Sequence, residues 1–322
     1  MIGRDGAVII NELSIDGHGG GRYRVVTHAH SDHTVNLGKS INNNMKLIAT
    51  PLTINWLKVL GHKIPNPLII EVNYGDEFRL GDTVFKFIKS VHIPGTFQVR
   101  AELPSGEVVV YTSDFKRPGD ETPIINSDYL VIDAVYGNPS FVREFDDYIN
   151  EVLVDLVKEL LSKGPVYIYG YYGKIQEVMQ LLRDYGIDAP YLVTPKHYRL
   201  CKVAEVYGMR FGDYVLSGTP EADDIVRDGW FIFFSHISRR FNGVVGNHVV
   251  LSGWEFRRPF RRLGSRRWLV AFSDHSDFRG LVKYVEESGA KEVIINTVRS
   301  TGAEEFREYV VRKLGVKAYL LP

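Results

Sequence analysis

A run of metal-binding side chains follows directly on a short apolar segment near the start of the chain. His28-Ala29-His30-Ser31-Asp32-His33 comes after Arg24-Val25-Val26-Thr27. If that segment is a strand that extends into the run, His28 and His30 project to one face, because they are two positions apart, and Asp32 and His33 lie in the turn beyond. Imidazole and carboxylate ligands without cysteine are typical of catalytic zinc sites, and also suit iron or manganese. The run predicts a metal centre, with a histidine-rich surface loop as the alternative.

Two later residues are further ligand candidates. His92 ends the apolar run Val84–Val91 and precedes Pro94-Gly95, so the chain turns immediately after it. Residues 97–103 and 107–113 form equal arms about a turn at 104–106, and a symmetric hairpin of this kind pairs Asp114 with Thr96. Both candidates are therefore expected at one sheet edge. Taken alone, His92 would be an ordinary loop histidine and Asp114 a helix cap or turn residue.

Composition bounds the class of protein. A length of 322 residues predicts two domains or one large domain with an insertion, and 44% hydrophobic residues are enough for a sizeable core. The single cysteine, Cys201, excludes an intrachain disulfide and Cys-based zinc sites, and is expected to be a small buried residue in a reducing cytoplasm. Neither a signal peptide nor a membrane span is expected, so we predict a cytoplasmic protein.

The apolar pattern changes along the chain. Short apolar runs cut by Gly, Pro, Asn and Asp predict a strand-rich part from Tyr23 to about Ile132, and helical periodicity appears between Asp147 and Gly212 around a strand at Val166–Tyr169. Strands return from Trp230 onward, followed by an amphipathic helix near Phe278–Glu287 and a buried strand at residues 293–295. This alternation predicts a mixed α/β fold with sheets covered by helices.

Local charge is concentrated although the net charge is zero, with 39 basic and 39 acidic residues. Six arginines fall within eleven residues, interleaved with aromatic side chains such as Trp254, Phe256, Phe260 and Trp268; they are Arg257, Arg258, Arg261, Arg262, Arg266 and Arg267. Arginines that clamp phosphates beside rings that stack on bases are typical of a groove that tracks a nucleic-acid strand. A solvated basic loop is the alternative.

The histidine run, Ser90-Val91-His92-Ile93-Pro94-Gly95-Thr96 and Thr112-Ser113-Asp114-Phe115 together resemble the metal-binding signature of the metallo-β-lactamase fold. The resemblance implies two sheets sandwiched between helices, an αββα sandwich, with the ligands on loops at one sheet edge. It does not by itself select a substrate, because many members hydrolyse small molecules.

Two more segments resemble motifs of the β-CASP nucleases, the branch that includes Artemis and the DNA crosslink-repair nucleases. The strand 130–132 runs into Asp133, and Ala271-Phe272-Ser273-Asp274 runs into His275. Members carry an inserted α/β domain, which the resemblance places at 148–264, with 1–147 and 265–322 forming the metallo-β-lactamase domain. Gly173-Lys174-Ile175-Gln176 resembles a segment of that insertion. The alternatives are that Asp133 caps a strand end and that His275 caps the following helix.

The resemblance implies a two-metal site. His28, His30 and His92 would hold one ion and Asp32 and His33 a second, with Asp114 bridging them; Zn²⁺ is the expected cofactor, with one or two ions and with Mn²⁺ or Mg²⁺ possible in the second site. Catalytic candidates are Asp32, Asp133 and His275, with Asp133 polarising His275 as the general acid. Nucleic-acid contacts are expected from Lys174, Arg257, Arg258, Arg261 and Arg262.

The substrate preference depends on one position. RNA-processing members usually carry a histidine near Val298, whereas the Artemis-like DNA nucleases resemble this chain in having valine. The valine favours a DNA exonuclease of the repair type and removes one ligand from the second metal. An RNA-processing nuclease of the same fold and a small-molecule hydrolase, such as a thioesterase or lactonase, remain the alternatives. Nucleic acid is the expected partner, and no protein partner is indicated.

Overall fold

The computed structural model describes residues 2–241 and 243–322, which form two compact units. One unit combines Met1–Val142 with His275–Pro322, and the other is Arg143–Asp274. The sequence-based boundaries lie at 147/148 and 264/265 instead. The C-terminal boundary differs because the strand Arg267–Val270 pairs with the strand Asn247–Leu251 inside the second unit.

The first unit contains two sheets. One has the strand order β1-β2-β3-β4-β5 and the other the order β19-β18-β10-β9-β8-β7-β6. The strands are β1 Val8–Ile10, β2 Leu13–Ile15, β3 Tyr23–Val25, β4 Lys46–Ala49, β5 Ile69–Glu71, β6 Glu77–Leu80, β7 Thr83–Lys89, β8 Phe97–Glu102, β9 Val108–Tyr111, β10 Tyr129–Ile132, β18 Glu292–Asn296 and β19 Lys317–Leu321. The helices are α1 Leu37–Asn42, α2 Pro51–Val59, α7 Phe278–Ser288 and α8 Ala303–Tyr309.

Alternation along the strands explains how this unit packs. Phe85 and Phe87 of β7 share one buried cluster with Leu13 and Ile48 of the other sheet, so the two sheets enclose a common core. The opposite face of the second sheet contributes residues such as Val110 to a second cluster, which includes apolar side chains of α7 and α8. Along β7, side chains that point into the core between the two sheets therefore alternate with side chains on the opposite face of the sheet.

The hairpin β8–β9 has the register that its sequence predicts. Val99 pairs with Tyr111 and Glu102 with Val108, and Leu103 and Glu107 close the turn through a backbone hydrogen bond. Continuing this register opposes Thr96 and Asp114, as expected from the equal arms. The hairpin therefore returns Asp114 to the edge at which the loop after β7 begins.

Two helices occur in the part of the chain that the apolar pattern predicts to be strand-rich. The longer, α2, begins with Pro51 at its first turn, and the side chain of Thr50 accepts a hydrogen bond from the backbone N of Thr53 at 3.2 Å. A threonine cap followed by proline is a helix-start signal that outweighs a short apolar run.

The second unit is built around a mostly parallel sheet with the order β13-β12-β14-β11-β15-β17-β16. Its strands are β11 Val166–Gly170, β12 Tyr191–Val193, β13 Tyr214–Leu216, β14 Ile232–His236, β15 Asn247–Leu251, β16 Phe260–Gly264 and β17 Arg267–Val270. Its helices are α3 Ile149–Leu161, α4 Lys174–Asp184, α5 Pro195–Val206 and α6 Pro220–Asp228. The α3 helix covers the predicted periodic stretch, and Cys201 is buried as a free thiol, as expected. Among residues 2–241 and 243–322, no helix is long and apolar enough to cross a membrane.

Candidate metal centre

The histidine run lies in a loop rather than on a strand. The β3 strand ends at Val25, although the backbone N of Val26 still donates to the carbonyl of Ile48 at 2.9 Å. Beyond it the backbone N of Thr27 donates to Asp16 Oδ1 at 2.8 Å, so its hydrogen-bond acceptor is a side chain and not a neighbouring strand. The strand therefore does not extend into the histidine run, and loop geometry brings His28 and His30 together.

A tight turn places His92. Gly95 has a φ of 93°, in the region that favours glycine, and a Cβ atom there would lie 2.6 Å from Thr53 Oγ1. The hydroxyl of Thr96 closes the turn by donating to the carbonyl of Ile93 at 2.7 Å. The hydroxyl of Ser90 donates to the carbonyl of Asp114 at 2.9 Å, which ties this loop to the end of the β8–β9 hairpin.

The side chain of Asp114 is the centre of the site. Its Oδ2 atom lies 3.2 Å from His33 Nε2, 3.4 Å from His92 Nε2 and 3.6 Å from His28 Nε2. His30 joins the group through its Nδ1 atom, which lies 3.0 Å from His92 Nε2. One ligand atom from each of His28, His30, His92 and Asp114 lies within 4.8 Å of the others.

A second group of possible ligands shares Asp114. Asp32, His33 and Asp114 also bring one ligand atom each to within 4.8 Å of one another. His33 is completely buried, whereas the side chain of Asp32 is 60% exposed. The cluster therefore has a buried side at His33 and a solvent-exposed side at Asp32.

Buried polar residues orient the histidine rings. Asp16 Oδ2 accepts a hydrogen bond from His33 Nδ1 at 2.8 Å and another from the Thr27 hydroxyl at 2.6 Å. Thr27 Oγ1 lies 3.1 Å from His28 Nδ1. With Nδ1 engaged in each ring, Nε2 is the nitrogen that faces Asp114. These contacts fix both the tautomer and the ring direction, as outer contacts do for metal-binding histidines.

Two buried arginines hold the backbone of the run. Arg299 donates from Nη2 to the carbonyl of Asp32 at 3.1 Å and also to the carbonyl of Asp16. Its Nη1 atom donates to the carbonyl of Gly6 at 2.7 Å. Arg24 donates from Nη2 to the carbonyl of His33 at 3.3 Å. The two arginines therefore fix the backbone of the histidine run through different carbonyl groups.

Charge in the cluster is strongly coupled. Burial and the neighbouring His33 ring hold the pKa of His28 well below its ordinary value. Burial opposes protonation of His33 as well, but the carboxylates of Asp114 and Asp32 raise its pKa well above the usual range. Burial would raise the pKa of Asp114, yet His275 and His33 together hold it well below its ordinary value. Asp114 is therefore an ionised carboxylate surrounded by imidazoles.

The donor set fits a divalent metal ion. Within the described residues, the buried Nε2 atoms of His28 and His33 and the Oδ1 atom of Asp114 have no hydrogen-bond partner. Three buried polar atoms without partners in one place are costly, unless a cation binds them. Neutral imidazole nitrogens and a carboxylate are the ligands that Zn²⁺ and related ions prefer. The structure brings together the side chains that the sequence singles out as candidate ligands.

Replacing Arg299 with Met tests its support of the second ligand group. The variant removes the hydrogen bonds to the carbonyls of Asp16 and Asp32, so we expect metal affinity at the Asp32 and His33 site to weaken by about 10- to 100-fold. Titration of the metal-free protein by calorimetry measures this. Arg143→Met, which removes a buried arginine of the second unit, is the matched control. Equal weakening at both ligand groups would contradict the assignment.

His275 also lies at this centre, but with a different partner from the expected one. Its Nδ1 atom is 3.7 Å from Asp114 Oδ1, its ring centroid is 4.6 Å from that of His92, and its side chain is 23% exposed. The carboxylate of Asp133 instead accepts a hydrogen bond from the hydroxyl of Tyr111 at 2.5 Å. Burial raises the pKa of Asp133 to about 6. The prediction that Asp133 polarises His275 is therefore wrong, and Asp114 is the carboxylate beside that ring.

The arginine-rich segment lies on the second unit. All six arginines are exposed, on β16, β17 and the adjoining turns. Arg261 pairs with Glu255 at 2.8 Å, and Arg262 donates to the carbonyls of Gly264 and Ser265. Lys174, by contrast, is buried, and its Nζ atom lies 3.4 Å from Asp274 Oδ2. Lys174 is therefore part of an internal ion pair rather than of the exposed basic surface.

Sequence reasoning missed the residues that support the centre: Asp16, Thr27, Tyr111, Ser113 and Arg299. Asp16 follows the apolar strand β2 directly, a signal comparable to the one that singled out Asp133. Arg299 follows Val298. The side chain of Val298 is 49% exposed and lies in a short turn after β18, not at the end of a buried strand. An arginine after an apolar strand carries no local sign that it is buried.

This chain is similar in sequence to several known proteins. No family model matches it. The "Uncharacterized protein in lig 3'region" of Acidianus ambivalens is 41% identical over 138 residues, which is 43% of this chain and 99% of that protein. The "Probable RNase MJ4" of Methanocaldococcus jannaschii is 24% identical over 51% of this chain, and the "5' exonuclease Apollo" of Gallus gallus is 24% identical over 87%.

Further similarities concern the length and the fold. The "Probable DNA ligase" of Opitutus terrae is 22% identical over 95% of this chain. The chain spans only 46%, 59% and 29% of the probable RNase, of Apollo and of the ligase, respectively. A crystal structure of a protein of unknown function from Enterococcus faecalis V583 superimposes with a TM-score of 0.65 at 14% identity, over 93% of this chain and 79% of that one.

The two-unit architecture, the shared-aspartate cluster and these similarities define a protein of the β-CASP group of the metallo-β-lactamase superfamily. The chain belongs to the same family as the Acidianus ambivalens protein.

Proposed function

We propose that this protein is a metal-dependent phosphodiesterase that cleaves nucleic acid, with DNA as the favoured substrate and exonuclease action of the repair type. The observation that carries the proposal is the pair of ligand groups that share Asp114. The relatives named as an RNase and a 5′ exonuclease support hydrolysis of nucleic acid. We assign the first unit to a metallo-β-lactamase αββα sandwich and the second to the β-CASP insertion.

In this proposal His28, His30, His92 and Asp114 hold one Zn²⁺, and Asp32 and His33, with Asp114, hold a second ion, which can also be Mn²⁺ or Mg²⁺. The bound ions supply Lewis acidity, which lowers the pKa of water and stabilises negative charge on the phosphate. The chain positions this chemistry: Asp16 and Thr27 fix the rings, and Arg299 fixes the loop. The open side at Asp32 admits the phosphodiester.

His275 is the proposed general acid. It is exposed enough to meet a substrate and sits beside Asp114, whose carboxylate stabilises the protonated ring. As a water oxygen bonds to phosphorus and the bond from phosphorus to the leaving oxygen breaks, the protonated His275 ring gives its proton to that oxygen. In this scheme Asp133 positions Tyr111 by accepting a hydrogen bond from its hydroxyl. The same hydroxyl lies 3.2 Å from Oδ2 of Asp16, the residue that orients His33.

Two observations support DNA. The position at which RNA-processing members usually carry a histidine ligand is Val298, and the relative named as a DNA ligase aligns with 95% of this chain. RNA is the second candidate, because another relative is named a probable RNase. Exposed cations among Arg257, Arg258, Arg261 and Arg262 are the proposed phosphate contacts on the second unit.

A cleavage assay on matched single-stranded DNA and RNA tests the proposal. Each strand is labelled at one end or the other and incubated with Zn²⁺, Mn²⁺ or Mg²⁺, and the control is His30→Ala. We expect metal-dependent degradation of DNA that is lost in the variant, and the label reports the polarity. Cleavage of RNA alone would overturn the DNA preference. Turnover of a thioester or lactone, without cleavage of either strand, would overturn the nuclease assignment.

A further inference from the structure

A cleft on the second unit lies beside the arginine-rich hairpin. It has a volume of about 370 Å³ and lies between the end of α3 and the β16–β17 hairpin, with the start of β15 as its floor. Its lining includes Lys163, Asn247, Phe260, Arg262, Arg266 and Trp268. All of them belong to Arg143–Asp274. A volume of this size is in the range of small-ligand sites.

The pleat of the hairpin brings two aromatic rings to this cleft. Phe260 and Arg262 are two positions apart on β16, so they share a face. Arg262 pairs with Trp268 and Phe260 with Val270 across the hairpin, which makes Phe260 and Trp268 diagonal neighbours on that face. Phe260 remains 41% exposed, an unusual state for an aromatic residue on a paired strand. Flat apolar surface is therefore open at the cleft.

The same cleft carries an excess of positive charge. Lys163 pairs with Glu159, which neutralises the acidic residue on the α3 wall. The guanidinium of Arg262 is held by the carbonyls of Gly264 and Ser265 and lies 5.9 Å from the centroid of the Trp268 ring. For Arg266, no ion-pair partner is found among residues 2–241 and 243–322. One arginine is thus fixed in place and the other is available for an anion.

We propose that this cleft binds one nucleotide of a single-stranded polynucleotide. The base stacks on Phe260 and Trp268, and the phosphate contacts Arg262 and Arg266. A base in a duplex has both faces covered by its neighbours, so the stacking surface selects unpaired strands. The inference rests on the proposed function for its ligand class. It adds a strand-binding subsite formed by residues outside the metal centre.

Binding of a labelled dT20 strand to the full chain tests this subsite. Fluorescence anisotropy is measured over a series of salt concentrations in EDTA, so that no strand is cleaved. Trp268→Leu is expected to weaken binding by at least about 5-fold at every salt concentration, because a stacking surface is lost. Arg266→Gln is expected to reduce the slope of log K against log[salt] by about 0.7, because one phosphate contact is lost.

Matched controls come from the same unit. Arg227→Gln removes an exposed arginine of α6, and Trp230→Leu removes a tryptophan that is 42% exposed. Both are expected to bind as the wild type does. Arg266 is exposed, so its variant reports binding even if Trp268→Leu lowers the melting temperature. Wild-type binding by both cleft variants, or equal weakening on dT20 and on a duplex, would overturn the subsite.

The outcome separates this inference from the proposed function. If the protein binds dT20 through Arg266 and Trp268 but cleaves neither DNA nor RNA, the subsite stands and the nuclease assignment fails. If the protein cleaves DNA and both cleft variants bind normally, the reverse holds. A parallel binding series with an rU20 strand tests whether the subsite recognises the base and the phosphate, which DNA and RNA share. Loss of binding to both strands in the same variants supports the subsite.

Discussion

Replacing Asp114 with Asn is expected to remove most of the bound metal and to lower cleavage by at least about 10³-fold. Asp114 Oδ2 lies 3.2 to 3.6 Å from the Nε2 atoms of three histidines, so both ligand groups lose their shared anion at once. Asparagine preserves the size of the side chain but supplies no negative charge. The loss therefore measures charge and coordination rather than packing.

Elemental analysis of the purified variant gives the metal content per chain, and the end-labelled cleavage assay gives the rate. Asp128→Asn is the control, because Asp128 also pairs with a basic residue of the same unit, Lys291, but lies outside the cluster. That variant is expected to retain its metal and its rate. Wild-type metal content in Asp114→Asn would contradict the bridging role.

Replacing His275 with Ala is expected to lower the cleavage rate by about 10²- to 10⁴-fold while the metal content stays unchanged. The reason is its position: His275 lies beside Asp114 and His92 but belongs to neither ligand group. A general acid contributes to bond cleavage and not to metal affinity. The two variants therefore separate two roles within one cluster.

The pattern of rates identifies the role further. Loss of a general acid affects a substrate with a poor leaving group most, so an activated aryl phosphodiester is expected to be cleaved by His275→Ala at nearly the wild-type rate. His236→Ala, which removes a partly exposed histidine of the second unit, is the control and is expected to behave as the wild type. Full activity of His275→Ala on DNA would remove the residue from the mechanism.

The parts of the site that could be predicted are those with a local origin. His28, His30, Asp32 and His33 are neighbours in the sequence, so any loop that holds two of them brings the others close. Asp114 could be aligned with Thr96 because a hairpin register depends only on its turn and its arms, and the observed pairing has that register. The α3 helix could be predicted because its apolar face repeats at helical spacing.

The parts that could not be predicted depend on distant pairs. Arg299 and Asp16 are 283 residues apart, and Tyr111 and Asp133 meet through a side-chain hydrogen bond between separate strands. Lys174 is opposite Asp274 for the same reason. Such contacts are set by tertiary packing, which leaves no periodicity in the sequence. The family resemblance identified Asp133 and His275 as site residues, but it did not specify which side chains they contact.

The division of the first unit into two chain segments has a consequence for the order of synthesis. All six proposed metal ligands precede residue 143, whereas His275, Arg299 and the strands β18 and β19 come only after the second unit. A nascent chain that has emerged as far as the second unit holds the ligands but lacks the arginine that fixes Asp16 and Asp32 and the proposed proton donor. The first unit, and with it the complete site, would thus form only after residues 275–322 have left the ribosome.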